Sequence, residues 1–281
     1  MQIDGETRVA GVFGDPIKHT ASPAMHNAAF DHLGMNWRYL PFNVNPANLD
    51  AALRGIREMN FVGVNLTVPH KIFALNLVDE VDPVARHLGA VNTVVVTPAR
   101  KLVGHNTDGY GLVKALQEDF KLKLKGRRVM ILGAGGAGRA ATMQCAMEAV
   151  AELYLVNRTI SKAEELAHEV QKKYPKTNVT VGAPRGGKID LLINATSLGL
   201  RPDDPKPICC AQISMFTHVF DMIYRPADTK LLREAKRAGC HTANGLSMLL
   251  HQGAKAFEIW SGKQAPLQVM RKALHKAVYG K

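Results

Sequence analysis

Four cysteines in 281 residues are too few for a disulfide framework. Cys145 and Cys240 stand alone, and Cys209 and Cys210 are adjacent, which is poor geometry for a bridge. None has metal-ligand spacing, so no metal site is expected, and a cytoplasmic location fits. No apolar run approaches the roughly 18–20 residues that span a bilayer. The opening MQIDGETRVAGVFG has no long apolar stretch after a basic segment, so it reads as mature sequence, not a secretion signal. No repeat or low-complexity segment is evident. The chain also lacks an aromatic-basic array of the kind found on RNA-binding sheets. Its net charge of +12 is dispersed, and the densest run, KLKLKGRR (121–128), alternates lysine with leucine and leads into a strand. That balance suits a field attracting small anions or plain solubility. Neither nucleic acid nor a membrane is the expected partner; a small molecule is.

What is present is ordinary globular composition, 46% hydrophobic and 21% charged, in a chain long enough for one large or two medium domains. The first part alternates strand and helix. RVAGVFG (8–14), WRYLPFNV (37–44), FVGVNLTV (61–68) and VNTVVV (91–96) read as strands. SPAMHNAAFDHLG (22–34) reads as a helix with Ser22 as N-cap and Pro23 at the first helical position, and 45–60 as one capped by Asn45. Such alternation predicts a mostly parallel sheet with helices on its faces. A second unit begins near residue 109. There RRVMILG (127–133), ELYLVNR, DLLINAT and HVFDMIY are strands separated by amphipathic helices, a doubly wound pattern. Two helices close the chain, 245–262 and 265–280.

Gly133, Gly135 and Gly138 have G-x-G-x-x-G spacing between a strand and a helix. The first permits a tight turn, the second lets backbone approach a pyrophosphate, and the third allows close helix–strand packing. The helix N-terminus offers N–H groups to the phosphates. The end of the next strand then faces the adenosine ribose. An acid there would hydrogen-bond the 2′-hydroxyl of NAD and repel a 2′-phosphate. This chain has Asn157, Arg158 and Thr159 instead, with Lys162 three residues beyond. A guanidinium donates two hydrogen bonds to a phosphate, so the expected cofactor is NADP.

Polar groups crowd three stretches of the first unit: 14–27, 65–71 and 89–111. Amides and hydroxyls read ring hydroxyls, and a cation meets a carboxylate or a developing alkoxide. The motifs G-x-P-I-x-H, S-P-x-x-H-N, N-x-T-x-P-x-K, G-A-V-N-T, N-T-D-G-x-G, G-A-G-G-A, N-R-T, N-A-T-S-x-G, D-x-x-Y-x-P and H-Q-G occur in this order from Gly14 to Gly253. Together they resemble the shikimate dehydrogenase family, over nearly the whole chain. The resemblance implies two α/β domains: a substrate domain of residues 1–108 with the C-terminal helices 245–281 packing back on it, and a Rossmann-type NADP-binding domain of residues 109–244. It also implies ligands held in a cleft between the domains, a reversible NADPH-dependent reduction of 3-dehydroshikimate to shikimate in aromatic amino-acid biosynthesis, and a monomer or homodimer.

The same resemblance makes Lys71 and Asp108 the catalytic pair. Lys71 would exchange a proton with the substrate oxygen, or stabilise the alkoxide electrostatically; Asp108 would orient it. Thr20 and Ser22 would meet the substrate carboxylate, with Tyr224 nearby; Asn65, Thr67, Asn92 and Gln252 would hold ring hydroxyls. The cofactor would contact Gly133, Ala134, Gly135, Gly136, Ala137, Gly138, Asn157, Arg158, Thr159, Lys162, Thr196, Ser197, Met222 and Gly245. Each residue also has a plainer reading: Ser22 as a cap, Thr67 as a strand former, Gln252 as a solvated helix residue, Met222 as core. His19, His26 and His70 lack metal spacing and read as packing residues. Three positions depart from the family pattern: Thr20 stands where Ser is usual, Lys162 where a second Arg is frequent, and Leu200 where Met is frequent. A quinate/shikimate or aminoshikimate-type relative and a non-catalytic dinucleotide-binding regulator are the alternatives. Retention of both Lys71 and Asp108 argues against the regulator.

Overall fold

The computed structural model describes residues 3–184 and 186–280, with the side chains of Cys210 and Ala211 outside that set. The chain forms two compact units, Met1–Gly111 with Leu249–Lys281, and Leu112–Met248.

The first unit runs β1 (Arg8–Gly14), α1 (Ser22–His32), β2 (Trp37–Asn43), α2 (Leu49–Glu58), β3 (Gly63–Leu66), β4 (Glu80–Val81), α3 (Pro83–Leu88), β5 (Thr93–Val96), β6 (Leu102–His105) and the start of α4 (Asp108–Phe120). Its sheet has the order β2-β1-β3-β5-β6-β4. The pairs β1–β2, β1–β3 and β4–β6 are parallel, but β5 is antiparallel to both β3 and β6. The sheet is therefore mixed, because the connection from Val96 to Leu102 is too short for a crossover and must turn back as a hairpin. Arg100 takes the left-handed conformation in that turn, at φ 58°. Leu49, Leu53 and Ile56 recur at helical spacing on α2 and bury one face against Phe13, Val64, Leu66, Val94 and Leu102. Each such side chain contributes about 1.5–3 kcal/mol of burial.

Ser22 is not the N-cap of α1. The capping position is Ala21, and Ser22 is already helical. Pro23 still sits in the first turn, and the Ser22 N–H is instead directed at Thr20 Oγ1, 3.4 Å away. The helix expected from Asn45 is split. Asn45 Oδ1 accepts from Ala47 N–H and caps one 3₁₀ turn, and α2 follows.

The second unit continues with β7 (Arg128–Leu132), α5 (Gly136–Met147), β8 (Glu152–Val156), α6 (Ile160–Lys173), β9 (Asn178–Val181), β10 (Ile189–Asn194), α7 (Cys210–Ile213), β11 (Phe216–Asp221), α8 (Lys230–Arg237) and β12 (His241–Asn244). All six strands are parallel, in the order β12-β11-β10-β7-β8-β9. Numbered from β7, this is the dinucleotide-binding order, which reverses direction between β7 and β10.

Two helices complete the chain, α9 (Leu246–Ser261) and α10 (Leu267–Tyr279). One unit boundary falls inside α4 and the other inside α9. In the first unit α10 packs on α1, and Phe257 lies 5.6 Å from Phe30. Trp260 Nε1 donates to the Val94 carbonyl at 3.0 Å. A Cβ at Gly63 would stand 2.1 Å from that oxygen and 2.5 Å from the indole nitrogen, so this close approach requires glycine.

His26 lies fully buried on α1, stacked on Tyr39 at 4.3 Å, and burial lowers its pKa to about 3. The unfolded chain therefore binds one more proton between pH 6.5 and about 3, and folded stability falls as pH drops through that window. The His26 share should approach about 5 kcal/mol by the acid end and vanish above pH 7. In urea titrations at several pH values, His26→Phe should flatten the acid limb; an unchanged limb would show that His26 is not the group responsible.

Among the described residues no helix is long and apolar enough to cross a membrane, and no cluster of His, Cys, Asp or Glu could hold a metal ion. Cys145, Cys209 and Cys240 are free thiols; the side chain of Cys210 is outside the described residues.

Candidate active site

Loops of the first unit bring Lys71 and Asp108, 37 positions apart, into one ion pair. Lys71 Nζ donates to Asp108 Oδ2 at 2.6 Å. The side chains are 21% and 10% exposed, so the pair is shielded but reachable. Lys71 is held by its main chain, whose carbonyl accepts from Val91 N–H at 2.8 Å. Asp108 opens α4, where a carboxylate meets the positive end of the helix dipole. Asn106 Oδ1 accepts from Asp108 N–H at 2.9 Å, and its Nδ2 donates to the Ala90 carbonyl at 2.8 Å.

Asn92 is the hub behind this pair. Its Nδ2 donates to Asp108 Oδ1 (2.9 Å) and Thr107 Oγ1 (3.0 Å), and Gln252 Oε1 is 3.5 Å away. Its Oδ1 accepts from Thr107 N–H (2.8 Å) and Thr93 Oγ1 (2.9 Å). Asn65 extends the chain, donating through Nδ2 to the Asn92 carbonyl (3.2 Å) and Thr93 Oγ1 (3.0 Å). Tyr39 donates its hydroxyl to Asn65 Oδ1 at 2.7 Å. Ser22 is buried in the first turn of α1. Thus Lys71, Asp108, Asn65, Asn92 and Gln252 belong to one connected polar system, and Thr20 stands beside Ser22. Thr67 follows β3 directly, and its carbonyl accepts from His70 N–H (2.9 Å), which starts the turn to Lys71. Tyr224 belongs to the second unit, three residues beyond β11.

In the second unit the glycine turn follows β7. Gly133 has φ 102°, and a Cβ on Gly138 would stand 2.0 Å from the Gly133 carbonyl oxygen. Around Gly135 and Gly136 an added Cβ would meet nothing within 4 Å, so the loop has an open side at the start of α5. Ala134 N–H donates to Asn157 Oδ1 at 3.1 Å, and Asn157 Nδ2 donates to the Thr159 carbonyl at 2.8 Å. Asn157 therefore joins the glycine loop to the loop after β8. Arg158, Thr159 and Lys162 are exposed around the N-terminus of α6. An open glycine turn beside two cations and a helix N-terminus fits a dinucleotide with an extra phosphate.

Asn194 Oδ1 accepts from Thr196 N–H (3.1 Å) and Thr196 Oγ1 (2.7 Å), and its carbonyl accepts from Met222 N–H (3.0 Å). Its Nδ2 donates to Asp221 Oδ1 at 2.9 Å. Asp221 also accepts from Thr229 Oγ1 (2.7 Å) and Ile223 N–H (3.1 Å), and burial raises its pKa. This brace fixes the loop carrying Thr196 and Ser197. A Cβ on Gly245 would stand 2.0 Å from the Met222 carbonyl oxygen, so backbone meets backbone there.

Family models described as the shikimate dehydrogenase substrate binding domain, shikimate / quinate 5-dehydrogenase, and the shikimate 5′-dehydrogenase C-terminal domain match residues 12–94, 114–199 and 245–275. The chain is 46% identical to a shikimate dehydrogenase (NADP(+)) of Desulforamulus reducens, across 99% of this chain and 98% of that one. The chain belongs to the shikimate dehydrogenase family. A shikimate dehydrogenase (NADP(+)) of Methanopyrus kandleri is 42% identical over 98% of this chain and 97% of its own. A solved shikimate dehydrogenase in complex with NADP+ is 38% identical with a TM-score of 0.91, covering 99% of this chain and 98% of that one.

Sequence reasoning had not assigned roles to Tyr39, Thr93 and Asp221, which this shikimate dehydrogenase family member places at network positions. Tyr39 lies within an apolar strand, where its hydroxyl was the only signal. Asp221 ends a strand and reads as a surface carboxylate until its three donors are seen.

Proposed function

We propose that this chain is an NADP-dependent shikimate dehydrogenase, which reversibly reduces 3-dehydroshikimate to shikimate. The half-buried Lys71–Asp108 pair at the end of an amide and hydroxyl network carries this reading. NADPH supplies the hydride to the carbonyl carbon. Lys71 supplies the proton to the carbonyl oxygen and takes it back in the reverse direction, while Asp108, oriented by Asn92, holds the ammonium at the reacting oxygen. Thr20 and Ser22 meet the substrate carboxylate, with Tyr224 beside it. Asn65, Thr67 and Gln252 read ring hydroxyls. Both N–H groups of Asn92 are already donated, so a substrate hydroxyl reaching it displaces Thr107 or Gln252.

Gly133, Ala134, Gly135, Gly136, Ala137 and Gly138 would cradle the pyrophosphate of NADP, with Asn157 tying the turn in place. Arg158, Thr159 and Lys162 would hold the 2′-phosphate. Thr196, Ser197, Met222 and Gly245 would line the nicotinamide side. The enzyme works in the cytoplasm, where its free thiols stay reduced, as a monomer or homodimer; light scattering on the purified protein decides between the two.

Initial rates at 340 nm with shikimate and quinate, each with NADP and NAD, test the assignment. Fast turnover confined to shikimate with NADP is expected. Preference for quinate or NAD moves the chain to a different activity in the family. Silence in all four, from folded protein that binds NADP, overturns the dehydrogenase reading.

A further inference from the structure

We propose that Tyr39 is a positioning residue that sets the hydrogen-bonding direction of one substrate-reading group, Asn65. The inference rests on the reading of that residue given above. Tyr39 is fully buried on β2, and its ring is fixed by the stack on His26, whose planes differ by 9°, with Trp260 6.0 Å away. A phenol carries one proton. Here that proton is given to Asn65 Oδ1 at 2.7 Å.

The consequence for Asn65 is a fixed amide. Both its N–H groups are taken, by the Asn92 carbonyl and Thr93 Oγ1. A flipped amide would point N–H at the phenol proton and break both donor contacts. What remains for a ligand is the second lone pair of Oδ1, so Asn65 reads a ring hydroxyl by accepting its proton. The phenol therefore presets this group at its contact point on the substrate. Preset groups lose less freedom on binding, so the effect appears in substrate affinity rather than in the chemical step.

Tyr39→Phe keeps the ring and its stack and removes the hydroxyl. It should raise KM for shikimate about tenfold, leave kcat within about threefold, and leave KM for NADP unchanged. Asn65→Ala should also raise KM for shikimate. The double variant should be scarcely worse than Asn65→Ala alone, because Tyr39 acts through Asn65. Thermal melts of all three verify folding. A normal KM in Tyr39→Phe beside a raised KM in Asn65→Ala overturns the role of Tyr39 and leaves the substrate site intact. Additive losses in the double variant overturn it as well. A normal KM in Asn65→Ala removes Asn65 from the substrate site, and the proposal falls with it.

Discussion

Lys71→Ala is expected to lower kcat for shikimate oxidation by about 10³-fold or more while NADP binding stays within about twofold. Among the described residues the ammonium is the one cation paired with Asp108, at 2.6 Å. Its removal leaves the carboxylate with Asn92 as its side-chain partner and no group to exchange a proton with the substrate oxygen. Lys71→Arg separates two mechanisms. Arginine keeps the positive charge but does not release a proton near neutral pH. If Lys71 transfers the proton, the arginine variant should be nearly as slow as the alanine variant. If Lys71 mainly stabilises the alkoxide, the arginine variant should recover a substantial part of kcat. Stopped-flow and steady-state rates, with NADP affinity from fluorescence, give the comparison. A near-normal kcat in Lys71→Ala would remove the residue from the mechanism.

Arg158→Ala should raise KM for NADP about 30-fold while changing KM for NAD by less than about twofold. Arg158 is exposed, and no ion pair occupies it among the described residues. Its guanidinium is therefore available for a phosphate, and its loss should leave thermal stability unchanged. Equal losses for the two cofactors would mean that Arg158 does not read the 2′-phosphate. The neighbouring Asn157 has a different task. Its side chain ties Ala134 to Thr159, so its replacement should weaken both cofactors together.

Much of this architecture was legible in the sequence because long apolar runs carry their own period. The strands at 8–14, 128–132 and 189–194 and the helices α6 and α8 were readable in this way. The short edge strands were not. Glu80–Val81, Asn178–Val181 and His241–Asn244 are brief and largely polar or half-exposed, so no local run announces them. The antiparallel β5–β6 hairpin was hidden for another reason: strand direction depends on where the chain returns, and alternation alone suggested a crossover. At the site, motif spacing identified Lys71, Asp108 and the glycine turn. It could not identify Tyr39, Thr93 or Asp221, whose importance lies in a partner 26 residues away in the case of Tyr39, or in burial that no single residue reveals.

The last segment of the chain, from Leu249 onward, returns to the first unit. It brings Gln252 to Asn92 and seats Trp260 over Gly63 and Val94. During synthesis residues 112–248 are translated before that segment exists. The cofactor-side sheet, built wholly from β7 to β12, has all its strands in hand by then. The first sheet, although translated earliest, must wait with its indole seat unfilled until the final helices emerge. The order in which this protein is made is thus not the order in which its parts are finished.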